Sequence, residues 1–339
     1  MSDLKITSWN IEHMKRLFET GGSATVQQRR ARRRESVAAE ITALDADVLC
    51  VLEGPASATD MKEFCDNDLA GKWQLIEAAD DQYGIRGSQY IWFLVKNHLA
   101  SDASLLPVAT FREFAGESWK VHYWGDFEEQ THRHYRTPQT LLLDWRGERL
   151  EFIGLHLKSK FVQRGASDWA AGGQQKQDYI RAAIKARIKL TTEAQNVRNY
   201  IDRKFAQLAA PNIFVMGDLN DGPGKEYFER QYLFFDLLSN IQGDVFFARR
   251  FLNHALFDAP EELRWSVNFQ DFVDPERDPH ILLDHILFTQ ALVDGSKPFE
   301  IRSGAGRVEH EIHEEINAPL PQYAHSSDHR PVSVTLSEK

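Results

Sequence analysis

Thiols are nearly absent. Cys50 and Cys65 are the two in 339 residues, which excludes a disulfide-stapled scaffold and a cysteine-built metal site. Cys50 falls inside the apolar run Asp47-Val48-Leu49-Cys50-Val51-Leu52, where a buried, inert thiol is expected. No uninterrupted apolar stretch approaches the ~20 residues that a membrane-spanning helix needs. No Pro/Gly/Ser-rich linker or low-complexity tract divides the chain, and no repeat of solenoid length recurs. An excess of positive charge is lacking too. The 40 Lys and Arg stand against 50 Asp and Glu for a formal charge of -10, which argues against a protein that coats nucleic acid through its whole surface. A nuclease remains compatible with that balance, because it needs only a local positive groove at the scissile phosphate. The chain enters a strand at Leu4-Lys5-Ile6 without a basic and then apolar leader, so a soluble, cytoplasmic protein is expected.

Apolar, β-branched runs suit strands at Leu4 to Asn10, Asp47 to Leu52, Trp73 to Glu77, Tyr90 to Val95, Thr140 to Trp145, Glu151 to Leu157, Asn212 to Met216, Leu283 to Thr289 and Pro331 to Leu336. Helical spacing and composition suit Val26 to Leu44, Thr59 to Leu69 and Gln174 to Leu208. Arg146-Gly147-Glu148 reads as a hairpin turn. Strands outnumber helices, and hairpins mix with strand-helix units. That favours an α+β sandwich, two sheets face to face with helices outside, over an all-parallel doubly wound sheet. One domain over residues 1–339 is expected, since the candidate site residues run from Asn10 to His329.

The polar residues at the edges of those runs carry the chemistry. Trp9-Asn10 ends the first strand, Glu53 and His156 end others, and Gly217-Asp218-Leu219-Asn220 follows Ile213-Phe214-Val215-Met216. Leu283-Asp284-His285 opens another strand, and Ser327-Asp328-His329-Arg330 precedes the last. Asp218 and Asn220, two apart, project from one face of an extended segment. A carboxylate can hold a cation and an imidazole can move a proton, which are two of the needs of hydrolysis.

These motifs, in this order and over nearly the whole chain, resemble the endonuclease/exonuclease/phosphatase family of metal-dependent phosphohydrolases, which includes pancreatic-type deoxyribonucleases. The likeness rests on Ser8-Trp9-Asn10-Ile11, Glu53, Gly154-Leu155-His156-Leu157-Lys158-Ser159, Gly217-Asp218-Leu219-Asn220, Leu283-Asp284-His285-Ile286 and Ser327-Asp328-His329-Arg330-Pro331-Val332. The resemblance implies a four-layer α/β/β/α sandwich of two mixed sheets with the site at one end. It also implies roles. Asn10 and Glu53, with help from Asp328, would hold Mg²⁺ or Mn²⁺, and Asp284 would polarise His329. Asp218 and Asn220 would handle the water and the phosphate, and His156 would bind a nonbridging oxygen or serve the leaving group. The chain departs from the family at Leu52, where a Gln often precedes the metal-binding Glu.

Arg136 could clamp a phosphate or be a surface arginine before a turn, and Lys158 and Lys160 could face a polyanion or solvent. The run Arg29-Arg30-Ala31-Arg32-Arg33-Arg34 reads as the solvated face of an amphipathic helix. His132, His134, His310, His313 and His325 are expected at the surface, and His285 is expected to face away from Asp284. Trp119, Tyr123, Trp124 and Tyr135 could stack bases or pack under a loop. The His-Leu-Lys-Ser-Lys stretch and the long helix after it look like the family's bacterial nucleases, which makes nucleic acid the expected substrate. A small or lipid phosphoester is the same-class alternative, and a noncatalytic module that keeps the fold is the different-class one.

Overall fold

The computed structural model describes residues 3–123, 129–224, 226–232 and 237–339. Runs such as Leu4–Asn10 and Asn212–Asp218 bury nearly every position, which only a strand covered on both faces can do. They form two mixed sheets. The first runs in the order Phe299–Glu300, Val332–Glu338, Leu4–Asn10, Val48–Gly54, Tyr90–Lys96, Trp73–Leu75, with Gly306–Val308 also on Val332–Glu338. The second runs Leu252–His254, Asp284–Thr289, Asn212–Asp218, Glu148–His156, Gln139–Trp145, Ala103–Leu106.

Side-chain alternation sorts each strand between two layers. Phe152, Phe214, Met216 and Ile286 point between the sheets, where they meet Ile6, Cys50 and Phe93. Their neighbours Ile153, Leu155, Ile213 and Val215 point outward onto Val197, Tyr200 and Ile201 of the Gly173–Gln207 helix. Val37, Ile41 and Leu44 of the Ala24–Leu44 helix cover the other sheet. The result is the α/β/β/α layering expected from the sequence. Each large apolar side chain so buried contributes ~1.5–3 kcal/mol. Two glycines let the layers close. A Cβ at Gly154 would stand 2.8 Å from the Cys50 sulfur, and one at Gly217 would meet the Leu155 carbonyl oxygen at 1.9 Å. Gly217 also has φ 144°, a backbone conformation that glycine alone adopts without strain. Gly217→Ala is therefore expected to lose ~3 kcal/mol or more in urea unfolding, because backbone rather than a mobile side chain must move.

Local signals explain most boundaries. Ser23 caps the Ala24–Leu44 helix, its Oγ accepting from the Val26 amide, and Asp45 ends it in the left-handed conformation. The turn between Gln139–Trp145 and Glu148–His156 holds Arg146 and Gly147 at φ 54° and 76°, the geometry of a two-residue hairpin. The expected helix from Thr59 to Leu69 is instead a short α-helix, Ala58–Glu63, followed by a π-turn, Phe64–Asp68.

Three of the five histidines expected at the surface are buried. His132 bonds the Tyr123 hydroxyl, His134 bonds Asn196 Oδ1 at 2.9 Å, and His313 bonds Glu40 Oε1 at 2.9 Å. Each has polar sequence neighbours but a buried polar partner brought by tertiary packing, so local polarity misreports depth. His310 and His325 are half-buried, each bonded to a backbone carbonyl. Trp119 and Tyr123 pack against the Gly173–Gln207 helix, Tyr135 is exposed, and Trp124 lies outside the described residues.

Burial holds the His134 ring down at about 4, with Asn196 opposing and the charges of Lys189 and Arg112 reinforcing it. The folded pKa lies below the unfolded one, so as pH falls the unfolded chain takes up the proton first. His134 therefore contributes stability that is present above ~6.5 and lost as pH falls toward 4, about 3 kcal/mol in all. Unfolding free energies of wild type and His134→Phe, measured from pH 7 to 4, should converge by that amount; parallel curves would refute it.

Candidate active site

Strand direction gathers the site. Leu4–Asn10 runs parallel to Val48–Gly54, with Asn10 beside Leu52, and Glu148–His156 runs parallel to Asn212–Asp218, with His156 beside Asp218. Four carboxyl-terminal strand ends thus share one end of the sandwich. Asp284–Thr289 is antiparallel to Asn212–Asp218 and starts opposite Asp218, and Val332–Glu338 starts opposite Ser8. The segment Ser327-Asp328-His329-Arg330 therefore arrives at the same end.

Each side chain is held by its neighbours. Asn10 is buried and its Nδ2 donates to Asp218 Oδ2 at 3.0 Å, while its Oδ1 has no hydrogen-bond partner among the described residues. A register shift between Val51 and Gly54 leaves Glu53 at φ 59° and turns its carboxylate inward. Glu53 Oε2 accepts from the His13 amide at 2.8 Å, and Oε1 lies 3.8 Å from His156 Nε2. The same His156 nitrogen stands 3.6 Å from Asp218 Oδ2. Asp218 Oδ1 takes the Asn220 amide at 2.8 Å, and Asn220, at φ 52°, sends its Nδ2 to the Leu157 carbonyl. His329 Nδ1 is 2.7 Å from Asp284 Oδ2, and the Asp284 amide is bonded to Ser266 Oγ. Asp284 Oδ1 has no hydrogen-bond partner among the described residues. Asp328 is the outlier, 66% exposed, with Oδ1 4.0 Å from His329 Nε2. His285 faces away from Asp284, bonded to His254 and to the Asp221 carbonyl.

Burial and these charges separate the proton affinities. Burial and the Asp284 charge push Asp218 up to about 7, against His329, the Asn220 amide and the Asn10 side chain. Burial disfavours an imidazolium at His329, but Asp284, by charge and hydrogen bond, with Asp218 and Asp328 behind it, raises it to about 10. Burial, then the charges of Arg136 and His329, keeps His156 well below the ordinary histidine range and so neutral. One end of the sandwich thus holds a neutral histidine, a protonated histidine and a carboxyl group poised near neutral pH, the spread of affinities that acid–base chemistry uses.

The flanking cations are placed differently. Arg136 spends its fork on protein: Nε and Nη2 donate to the His156 and Leu157 carbonyls, both at 2.9 Å, and Nη1 to Gln89 Oε1. Lys158 donates from Nζ to the Ser159 carbonyl. Lys160 is drawn away from the cluster into ion pairs with Asp221 and Glu229.

Sequence reasoning missed three supports. The Ser327 hydroxyl donates to the Asn10 carbonyl at 2.7 Å and accepts the His329 amide at 3.0 Å, fastening two site segments together. The Trp9 indole donates to the His329 carbonyl. Buried Glu193, raised to about 7 chiefly by burial, accepts the Lys158 amide at 2.8 Å. Ser327 and Trp9 lie inside the quoted motifs, yet nothing in a sequence marks a bridging hydroxyl or indole. Glu193 sits among many charges on a long helix and has no local signal at all.

Oxygen donors suit a hard cation. The unpartnered, buried Asn10 Oδ1 beside Glu53 is the observation that fits one. Among the described residues no group of three or more His, Cys, Asp or Glu side chains could hold a metal. Mg²⁺ does not require such a cage, since it commonly keeps several waters and takes one or two carboxylates.

No family model matches the sequence, and no curated protein does. Solved structures do. Truncated Caenorhabditis elegans TDP2 superposes with a TM-score of 0.54 at 14% identity, over 99% of this chain and 97% of that one. An endonuclease/exonuclease/phosphatase from Beutenbergia cavernae gives 0.52 at 16%, over 100% and 72%. A family protein of that description from Bacteroides thetaiotaomicron gives 0.50 at 13%, over 100% and 98%. At such identities the likeness concerns the course of the backbone: the chain has the fold of the endonuclease/exonuclease/phosphatase proteins.

Proposed function

We propose that this chain, acting as one unit over residues 1–339, is a divalent-cation-dependent phosphoester hydrolase, and that its substrate is nucleic acid. The observation that carries the reading is the Asp284–His329 pair facing Asp218 across the strand ends, with the proton affinities of His329 and Asp218 well separated. A phosphodiester is anionic and repels a hydroxide nucleophile, so hydrolysis needs positive charge at the phosphate and a base for the water. His329, held by Asp284, presents Nε2 as a positive donor to a phosphate oxygen. Asp218, held through Oδ1 by the Asn220 amide, orients an in-line water and takes its proton. Neutral His156 donates from Nε2 to a nonbridging oxygen, and Asn220 fixes the turn that places Asp218. Asn10 and Glu53, with Asp328 at the rim, would hold Mg²⁺ or Mn²⁺, which when bound neutralises phosphate charge. Arg136 acts through the carbonyls it ties down, positioning His156, and Lys158 adds positive charge at the same strand end.

Supercoiled plasmid with Mg²⁺ or Mn²⁺ tests the proposal. Nicking that is abolished by EDTA and by His329→Ala is expected; an uncut plasmid beside a folded protein would remove DNA as substrate. Cation binding has its own readout. Mg²⁺ is expected to raise the melting temperature of wild type and to leave Glu53→Gln unmoved, and equal shifts in both would remove Glu53 from the cation site. One observation favours a second reading, a small phosphoester. A 230 Å³ cavity opens beside Asn220, walled by Phe161, Tyr179, Phe228, Phe269 and Phe272, and would suit the apolar part of a small substrate. Phosphate release from a panel of monoesters by a protein that leaves DNA intact would favour it.

A further inference from the structure

A second cavity, of 140 Å³, lies outside the cluster just described. Arg86, Arg112 and Arg133 line it together with Thr137, buried His134 and a single acid, Glu117. Its position follows from the chain. Residues 133–137 lead directly into Gln139–Trp145, whose Gln139 pairs with Gly154, two residues before His156. Ile85 forms an isolated bridge with Arg136, the residue whose side chain holds the His156 and Leu157 carbonyls. The cavity is therefore at the same end of the sandwich, one strand further out, with Arg136 between it and His156.

Its charge is only partly compensated, three guanidiniums to one carboxylate. Among the described residues Arg112 makes one hydrogen bond, to the neutral Thr137 hydroxyl at 3.2 Å. Among the described residues neither Arg86 nor Arg133 has an acidic partner, and Glu117 forms no ion pair. Elsewhere this acidic chain pairs its arginines readily: Arg34 with Asp68, Arg187 with Glu226, Arg198 with Asp202 and Arg230 with Asp274. Three guanidiniums around one small cavity repel one another unless an anion joins them. The guanidinium fork matches the oxygens of a phosphate bidentately. With a water taking roughly 30 Å³, the space suits an oxyanion of a few heavy atoms.

We propose that the Arg86–Arg112–Arg133 cavity binds a phosphate group, the second phosphate of a polyanionic substrate whose scissile phosphate lies between His156 and His329. The inference rests on the hydrolase reading for its functional role, though not for the binding itself. It places the substrate strand along the Arg136 side of the site, and gives an overall acidic protein the local positive groove that a nuclease requires.

The test is the double variant Arg86→Gln/Arg133→Gln, two exposed side chains whose loss leaves no partner unsatisfied. With an oligonucleotide, KM should rise ~10-fold or more with kcat unchanged, and the salt dependence of binding should flatten by about one to two in log–log slope. Hydrolysis of bis(p-nitrophenyl) phosphate, which has one phosphate, should match wild type. Inorganic phosphate should raise the melting temperature of wild type more than that of the variant. A lost phosphate shift with an unchanged oligonucleotide KM would keep the site and make free phosphate its occupant. Equal KM values together with equal phosphate shifts overturn the proposal. If wild type hydrolyses neither substrate the hydrolase reading fails, and the melting comparison still decides the anion site.

Discussion

His329→Ala is expected to lower phosphoester turnover by ~10²–10⁴, the usual cost of removing one positioned proton-transfer group. The variant also strands charge. Asp284 and Asp218 stay buried at the same strand ends, and the imidazolium that pairs with Asp284 and holds the proton affinity of Asp218 down is gone. His329 holds its proton up to about 10 in the folded chain, well above the unfolded value. The stability it contributes is therefore fully present below ~6.5 and is lost as pH rises toward 10. At neutral pH the alanine variant should be less stable as well as inactive. His329→Gln separates the two effects, since its amide can still donate to Asp284 but carries no titratable proton. Stability should largely return in the glutamine variant while turnover stays at the alanine level. Turnover near wild type in either variant, with bis(p-nitrophenyl) phosphate or plasmid, would remove His329 from the chemistry.

Which features were legible in the sequence has a physical pattern. The nine strands read from apolar runs are all present, because a strand buried on both faces leaves a continuous apolar signature. Short, half-exposed elements were missed, among them Ala103–Leu106 and the hairpin Trp119–His122 with Glu129–His132. Three- and four-residue strands are set by tertiary contacts rather than by composition. The site residues were legible because each stands at the abrupt end of an apolar run, where backbone direction alone delivers it to one edge of the sandwich. What their side chains touch was not. Arg136 reads as a substrate clamp or a surface residue, and in the fold it is half-buried with three of its five donors on the His156 and Leu157 carbonyls and Gln89, contacts that no sequence pattern announces.

The basic run Arg29 to Arg34 shows the same limit. Its expected solvated face holds for Arg29, whose guanidinium lies over the Tyr323 ring at the surface. One turn along, Arg33 reaches inward and donates to the carbonyls of Glu12, His325 and Ser326. Helical spacing predicts which residues share a face, but not which loop a neighbouring layer will lay against that face. Here the loop is the one that carries Asp328 and His329, so a residue read as solvated fastens the site.

Glu40 makes the same connection from deeper in the helix, and its loss should have the largest effect on stability among polar substitutions. Its carboxylate is fully buried, with Oε1 2.9 Å from His313 Nδ1 and Oε2 bonded to the Ser326 hydroxyl and to Asn317 Nδ2. Asn317 in turn receives the Ser326 amide on its Oδ1 at 2.8 Å. Helix Ala24–Leu44, helix His310–Asn317 and the segment leading into Ser327 and His329 therefore meet at one side chain. Glu40→Ala takes the carboxylate acceptor from three buried polar groups and leaves His313, Asn317 and Ser326 only their bonds to one another, and is expected to cost ~3–5 kcal/mol in urea unfolding. Glu40→Gln keeps an acceptor for Ser326 and Asn317 and should cost clearly less. Because Ser326 precedes the hydroxyl that joins Asn10 to His329, the folded fraction of Glu40→Ala should also turn over more slowly, by up to ~10² if the loop moves by about 1 Å. A Glu40→Ala protein within about 1 kcal/mol of wild type would show that the network is packing rather than support. Full activity in an otherwise destabilised variant would show that Ser327 and Trp9 hold His329 without it.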